Sequence, residues 1–183
     1  AGDWSGNSVS MNSAGDRVAI GAPYNDGTGS DAAGHVRVYE YSSSSWTQLG
    51  SDIDGEAAGD WSGNSVSMNS AGDRVAIGGP YNDGTDSYAG HVRVYEYSNN
   101  SWSQLGSDID GEAYGDYSGI SVSMDSAGDR VAIGAYGNDA SGSLAGHVRV
   151  YEYSNSSWAQ LESDIDGEAA GDRSGISVSM NSA

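Results

Sequence analysis

The sequence predicts an all-β chain of β-propeller blades: three four-stranded repeats of about 57 residues plus one extra strand. Three observations predict it. The pair Gly-Asp returns at Asp3, Asp60, Asp116 and Asp172, at spacings of 57, 56 and 56 residues. Each unit holds four short runs rich in Val, Ile, Tyr and Trp, separated by clusters of Gly, Asn, Asp and Ser. No stripe of apolar residues at helical spacing interrupts this pattern. The units are 1–57, 58–113 and 114–169, followed by a partial copy over 170–183.

Within the first unit the runs are 7–11, 17–22, 35–41 and 45–53. The first is small, Ser-Val-Ser-Met, and suits the crowded inner rim where strands converge. Asn12-Ser13-Ala14-Gly15-Asp16 then reads as a tight hairpin turn with Gly at a positive-φ position. The pair Asp16-Arg17 recurs as Asp73-Arg74 and Asp129-Arg130. An exposed pair of this kind contributes little; alternatively the Arg fork ties one blade to the next. Residues 24–34 form the most variable connection, as expected of an exposed loop. In the third run Val36 and Val38 point one way, and Arg37, Tyr39 and Tyr41 the other. Both faces are furnished, as a blade stacked on both sides requires.

Ser5-Gly6-Asn7-Ser8-Val9, Val18-Ala19-Ile20-Gly21-Ala22-Pro23, Gly34-His35-Val36-Arg37-Val38-Tyr39 and Trp46-Thr47-Gln48-Leu49 together resemble the FG-GAP repeat. Gly21-Ala22-Pro23 matches its "GAP" element, and Gly78-Gly79-Pro80 and Gly134-Ala135-Tyr136 are degraded copies. The "FG" element reads Ser5-Gly6, Ser62-Gly63 and Ser118-Gly119. The resemblance covers the whole chain. It implies a propeller of the kind found in integrin α heads and bacterial surface proteins, hence extracellular adhesion or recognition at the cell surface. Integrin-type repeats often carry a calcium loop between the first two strands. Here residues 12–16 offer one carboxylate and too little chain to wrap an ion needing six to eight oxygens.

The candidate calcium loop lies elsewhere. Asp52, Asp54, Glu56 and Asp60 fall at relative positions 1, 3, 5 and 9, as in oxygen-rich cation loops. The set recurs as Asp108, Asp110, Glu112, Asp116 and as Asp164, Asp166, Glu168, Asp172. Trp46, Trp102 and Trp158 open the last strand of each unit, as an anchor on the blade's outer edge or a platform for glycans. Asn99-Asn100-Ser101 and Asn155-Ser156-Ser157 satisfy the N-glycosylation triplet at Asn99 and Asn155, in one and the same hairpin loop. His35, His91 and His147 occupy one position per unit, with no second His or Cys near in sequence. They read as strand-edge residues hydrogen-bonded to a neighbouring blade, because zinc needs convergent ligands.

The 183 residues carry a net charge of −19, which repels nucleic acid and anionic lipid. There is no Cys, and no apolar run is long enough to span a bilayer. The chain starts at Ala1 without initiator Met or signal peptide, as expected of a processed protein or an excerpt of a longer one. Nucleophile, base and orienting group gather nowhere, so the reading is of a protein that is not an enzyme. Ile176, Val178 and Met180 belong to a first strand without its blade, an edge that must pair with something. Three blades are too few to close a ring. The expectation is therefore an extracellular structural or adhesive protein that self-associates through its ends into a ring or fibre. A glycan-binding propeller and a calcium-dependent adhesion module are the alternatives.

Overall fold

The computed structural model describes residues 2–26 and 31–181; residues 27–30, part of the first variable loop, lie outside them. Among the described residues fifteen strands form three sheets of the same design, and there is no helix. In the first, β1 (Ser8–Met11), β2 (Arg17–Ala22), β3 (His35–Ser42) and β4 (Ser45–Gln48) make an antiparallel meander. A two-residue strand, β5 (Ile53–Asp54), pairs with the start of β3 through Val36↔Ile53 and His35↔Asp54. The second sheet contains β6 (Ser65–Met68), β7 (Arg74–Gly79), β8 (His91–Ser98), β9 (Ser101–Gln104) and β10 (Ile109–Asp110). The third contains β11 (Ser121–Met124), β12 (Arg130–Ala135), β13 (His147–Ser154), β14 (Ser157–Gln160) and β15 (Ile165–Asp166).

The run read as one strand over 45–53 is therefore two strands with a break at Leu49–Asp52. Gly50 (φ 77°) supplies the break, as Gly106 (φ 78°) does in the second unit. The break also makes room. A Cβ on Gly50 would sit 2.8 Å from Cδ1 of Trp102 in the next blade. Third-strand hairpins close on two-residue turns with both φ values positive, at Ser43-Ser44, Asn99-Asn100 and Asn155-Ser156. Such turns match the twist of the flanking strands. Asn99 and Asn155 stand exposed on these tips.

The sheets stack face to face. Ala19, Val36, Val38 and Ile53 on the back of blade 1 meet Met68, Val75 and Ile77 on the front of blade 2. Ala76, Val92, Val94 and Ile109 on the back of blade 2 meet Val122, Met124, Val131 and Ile133 of blade 3 in the same way. The alternation read along residues 35–41 is thus the division between the two junction faces. The short first strands lie side by side, β6 touching both β1 and β11. Ser10 Oγ accepts the amide of Met68, and Ser67 Oγ that of Met124, at 2.9 Å each. Arg17 forks onto Glu40 within its own sheet and also reaches the Gly72 carbonyl at 3.2 Å, so it is an inter-blade tie. Arg74 does the same toward Glu96 and Gly128.

One expectation is corrected here. Residues 175–180, with Ile176, Val178 and Met180, form no strand. The segment lies beside β11, where Gly175 accepts a hydrogen bond from Ser121 Oγ and Met180 donates one to Ser123 Oγ. That is the place β6 takes beside β1. In the complete units the first strand is held by a ladder to the second. Residues 175–180 thus keep the lateral contact to the preceding first strand without a ladder of their own among the described residues.

Candidate functional site

The candidate site is the outer part of each blade junction, where a histidine opens the third strand. His91 pairs in register with Gly79 and Asp110, and its side chain is 1% exposed. Its Nδ1 lies 3.6 Å from Oδ2 of Asp108, in its own blade, and 4.0 Å from Oε2 of Glu56, in the preceding blade. Arg93 crosses the junction. Its Nη2 donates to the Asp54 carbonyl at 2.9 Å and its Nη1 stands 3.4 Å from Oε1 of Glu56. The second junction repeats this. His147 Nδ1 is 3.4 Å from Asp164 Oδ2, Arg149 Nη1 is 3.5 Å from Glu112 Oε1, and Arg149 Nη2 donates to the Asp110 carbonyl at 2.8 Å. Gln104 and Gln160 donate to the other oxygens of Asp108 and Asp164.

Three groups bring potential metal-ligand atoms within 4.8 Å of one another: His35, Asp52 and Asp54; Glu56, His91 and Asp108; Glu112, His147 and Asp164. This corrects the candidate calcium loop. The four carboxylates of one loop do not converge. Asp52 faces Arg37, Gln48 and His35 in its own blade. Glu56 turns to the next blade. Asp60 is buried as a turn residue, accepting from the amide of Ala57 and from Asn82 Nδ2. Asp116 does the same with Ala113 and Asn138. Asp172 accepts the amide of Ala169, and Asp166 and Glu168 are exposed. The physical reason is the fold of the segment. Its first part lies along the third strand of its own blade, whereas Glu56 and Asp60 face residues of the next unit.

The histidine reading is corrected too. His91 Nδ1 and both ring nitrogens of His147 make no hydrogen bond among the described residues. Burial, and then the neighbouring Arg93, lower the His91 pKa to about 4, against the pull of Asp108 and Asp60. Burial with Arg149 lowers that of His147, and burial with Arg37 that of His35. Burial pushes Glu56 up, against the pull of Arg93. The Arg37 fork holds Asp52 below the ordinary carboxylate range.

A stability prediction follows. The folded-state pKa of His91 lies below its unfolded value of 6.5, so the unfolded chain binds more protons between pH 6.5 and about 4. The contribution of neutral His91 is full above pH 6.5 and is lost as pH falls through this window. Urea unfolding in chelator should therefore weaken from pH 6.5 to 4 more steeply for the parent than for His91→Gln; equal slopes would refute it.

Trp102 and Trp158 are junction anchors. Each indole N–H donates across the junction at 2.7 Å, to the carbonyls of Leu49 and Leu105. Each ring is also partly buried against the core of its junction, which is the anchor reading of the blade edge. Trp46 has no such partner among the described residues and is 45% exposed.

Sequence reasoning missed a row of rings on the loops: Trp4, Tyr24, Trp61, Tyr81, Tyr117 and Tyr136, with successive centroids 4.1–5.3 Å apart. Its signal was two aromatic positions per unit at a fixed offset. Most neighbours are tilted and meet face against edge, so the row is a packing device between successive loops.

No family model matches the chain, and no curated protein matches it. Solved structures do. A candidate 6-phosphogluconolactonase from Bacteroides uniformis matches with a TM-score of 0.58 at 8% identity, over 86% of this chain and 40% of that one. Saccharomyces cerevisiae Sqt1 matches at 0.53 and 15% identity, over 86% and 35%. Kuenenia stuttgartiensis hydrazine synthase matches at 0.53 and 9%, over 88% and 37%. The chain thus spans about two-fifths or less of these structures. At such identities the likeness is one of fold: an all-β, propeller-like stack of antiparallel four-stranded sheets. It also overturns the reading that the chain is not an enzyme. A matching structure bears the name of an enzyme, so the architecture does not argue against catalysis.

Proposed function

We propose that the protein is an extracellular structural or adhesive component of the FG-GAP-like class, whose blades join copy to copy through their end faces. The observation that carries this reading is that the two end faces are complementary halves of the junction found inside the chain. On blade 1, Val18, Ile20, Tyr39 and Trp46 line an open apolar groove, and their counterparts Val75, Ile77, Tyr95 and Trp102 fill the first junction. On blade 3, Ile165 is 59% exposed, whereas Ile53 and Ile109 are each 4% exposed inside the chain. Val148 and Val150 are half-buried where Val36, Val38, Val92 and Val94 are buried.

The polar groups agree. Arg93, 6% exposed at its side chain, crosses to the preceding blade. Arg37, its equivalent, is 43% exposed and forks onto Asp52 in its own blade. An exposed Glu168 stands at the far end in the place of Glu56, ready to receive the Arg37 of a second copy. Such a head-to-tail contact is heterologous, and it either closes a ring or runs on as a fibre. The exposed turns at Asn99 and Asn155 leave room for attached sugar on an assembled surface.

One position works against tight docking. Glu162 (φ 59°) replaces Gly50 and Gly106, which touch the indole of the following blade. Sedimentation velocity over a concentration series tests the reading. The parent should grow in mass with concentration. Ile20→Asp should remain monomeric with unchanged circular dichroism, and Glu162→Gly should associate at lower concentration. A parent that stays monomeric throughout would refute it.

A further inference from the structure

We propose that the two blade junctions are binding sites for a divalent transition-metal ion of the zinc class. Glu56, His91 and Asp108 hold the first, and Glu112, His147 and Asp164 the second, each with one imidazole nitrogen and two carboxylate oxygens. The ligand atoms of each set already lie within 4.8 Å of one another. The separations of His91 Nδ1 from Glu56 and Asp108, and of His147 Nδ1 from Asp164, run from 3.4 to 4.0 Å. That is too long for a hydrogen bond. It is close to the roughly 3.4 Å between ligands that a tetrahedral ion with bonds of about 2.0–2.2 Å imposes.

The histidines point to a ligand independently of the acidic groups. His91 and His147 are 1% and 0% exposed, and the Nδ1 of each is buried without a hydrogen-bond partner while facing the carboxylates. A buried ring nitrogen without a partner among the described residues costs free energy unless something occupies it.

The surrounding groups direct the right oxygens inward. Gln104 holds Oδ1 of Asp108, and Oδ2 faces His91. Arg93 stands by Oε1 of Glu56, and Oε2 faces His91. Gln160 and Arg149 stand in the same relation to Asp164 and Glu112. This is how outer groups orient metal-binding side chains. Two carboxylates against one guanidinium leave the pocket net negative. An imidazole with two carboxylates suits zinc-class ions; calcium asks for six to eight oxygens. At the first blade the same place holds His35 with Asp52 and Asp54. There Asp52 is engaged by Arg37, and no glutamate joins the set among the described residues. The parent chain therefore has two full sites.

Isothermal titration with Zn²⁺, and Co²⁺ absorption, on the whole chain test the proposal. We expect two equivalents per chain. Glu56→Gln with Glu112→Gln should weaken affinity by roughly tenfold or more. Both glutamates are half-exposed, at 47% and 45%, so this variant keeps the fold, as circular dichroism will verify. His91→Gln with His147→Gln should abolish the nitrogen-ligated Co²⁺ spectrum. Unchanged zinc affinity in the glutamate variant, tight Ca²⁺ binding in place of Zn²⁺, or no binding by the parent would each overturn it.

Discussion

Gly78→Ala should destabilise the chain by about 3 kcal/mol, read as a lowered urea midpoint. Gly78 lies in the middle blade, and its Cα side rests on the backbone of the following unit. A Cβ built there meets the carbonyl oxygen of Gly119 and the Oγ of Ser65 far inside contact distance. Ser65 Oγ in turn donates to the Gly119 carbonyl at 2.7 Å, so the added methyl also displaces that bond. Neither obstacle can rotate away, because one is backbone and the other is pinned to it. The conflict recurs at Gly21 against Gly63 and at Gly134 against Gly175, which makes this contact a fixed spacer between units. A midpoint equal to that of the parent would show that successive sheets are not in this close register.

The second large effect is a contrast between two identical residues. Ile77 and Ile20 occupy the same place in successive units, both opposite an arginine on the third strand. Ile77 is 1% exposed inside the first junction, whereas Ile20 lines the open groove of blade 1. Ile77→Ala removes three carbons from a packed interior and should cost about 3 kcal/mol. Ile20→Ala, measured at dilutions where the chain is monomeric, should cost less than about 1 kcal/mol. Equal losses would mean that the groove is covered within the single chain, and the end-face account would fail.

The period and the strands were legible because they depend on local pattern. Val36 and Val38 alternate with Arg37 and Tyr39 whatever the partner, and Gly-rich turns mark the strand ends. The break at Gly50 was not legible from glycine alone, since Glu162 adopts the same positive φ at the equivalent break of the third unit. The junction clusters were hidden for a different reason. Glu56, His91 and Asp108 are far apart in sequence, and only stacking one sheet on the next unites them. The regular spacing of Asp52, Asp54, Glu56 and Asp60 instead suggested a local loop. It reflects four separate tasks: an arginine fork, a strand end, a reach across the junction and a buried turn. Residues 175–180 copy a strand sequence, yet they lie beside β11 without forming a strand.

The most direct test of the account is an electron-microscopic reconstruction of the particle formed at high protein concentration. If one blade-to-blade contact serves both within and between chains, the joint between copies will repeat the internal joints, with Trp46 of one copy against the outer edge of blade 3 of the next. Separate three-blade particles, or copies touching through any other surface, would contradict it.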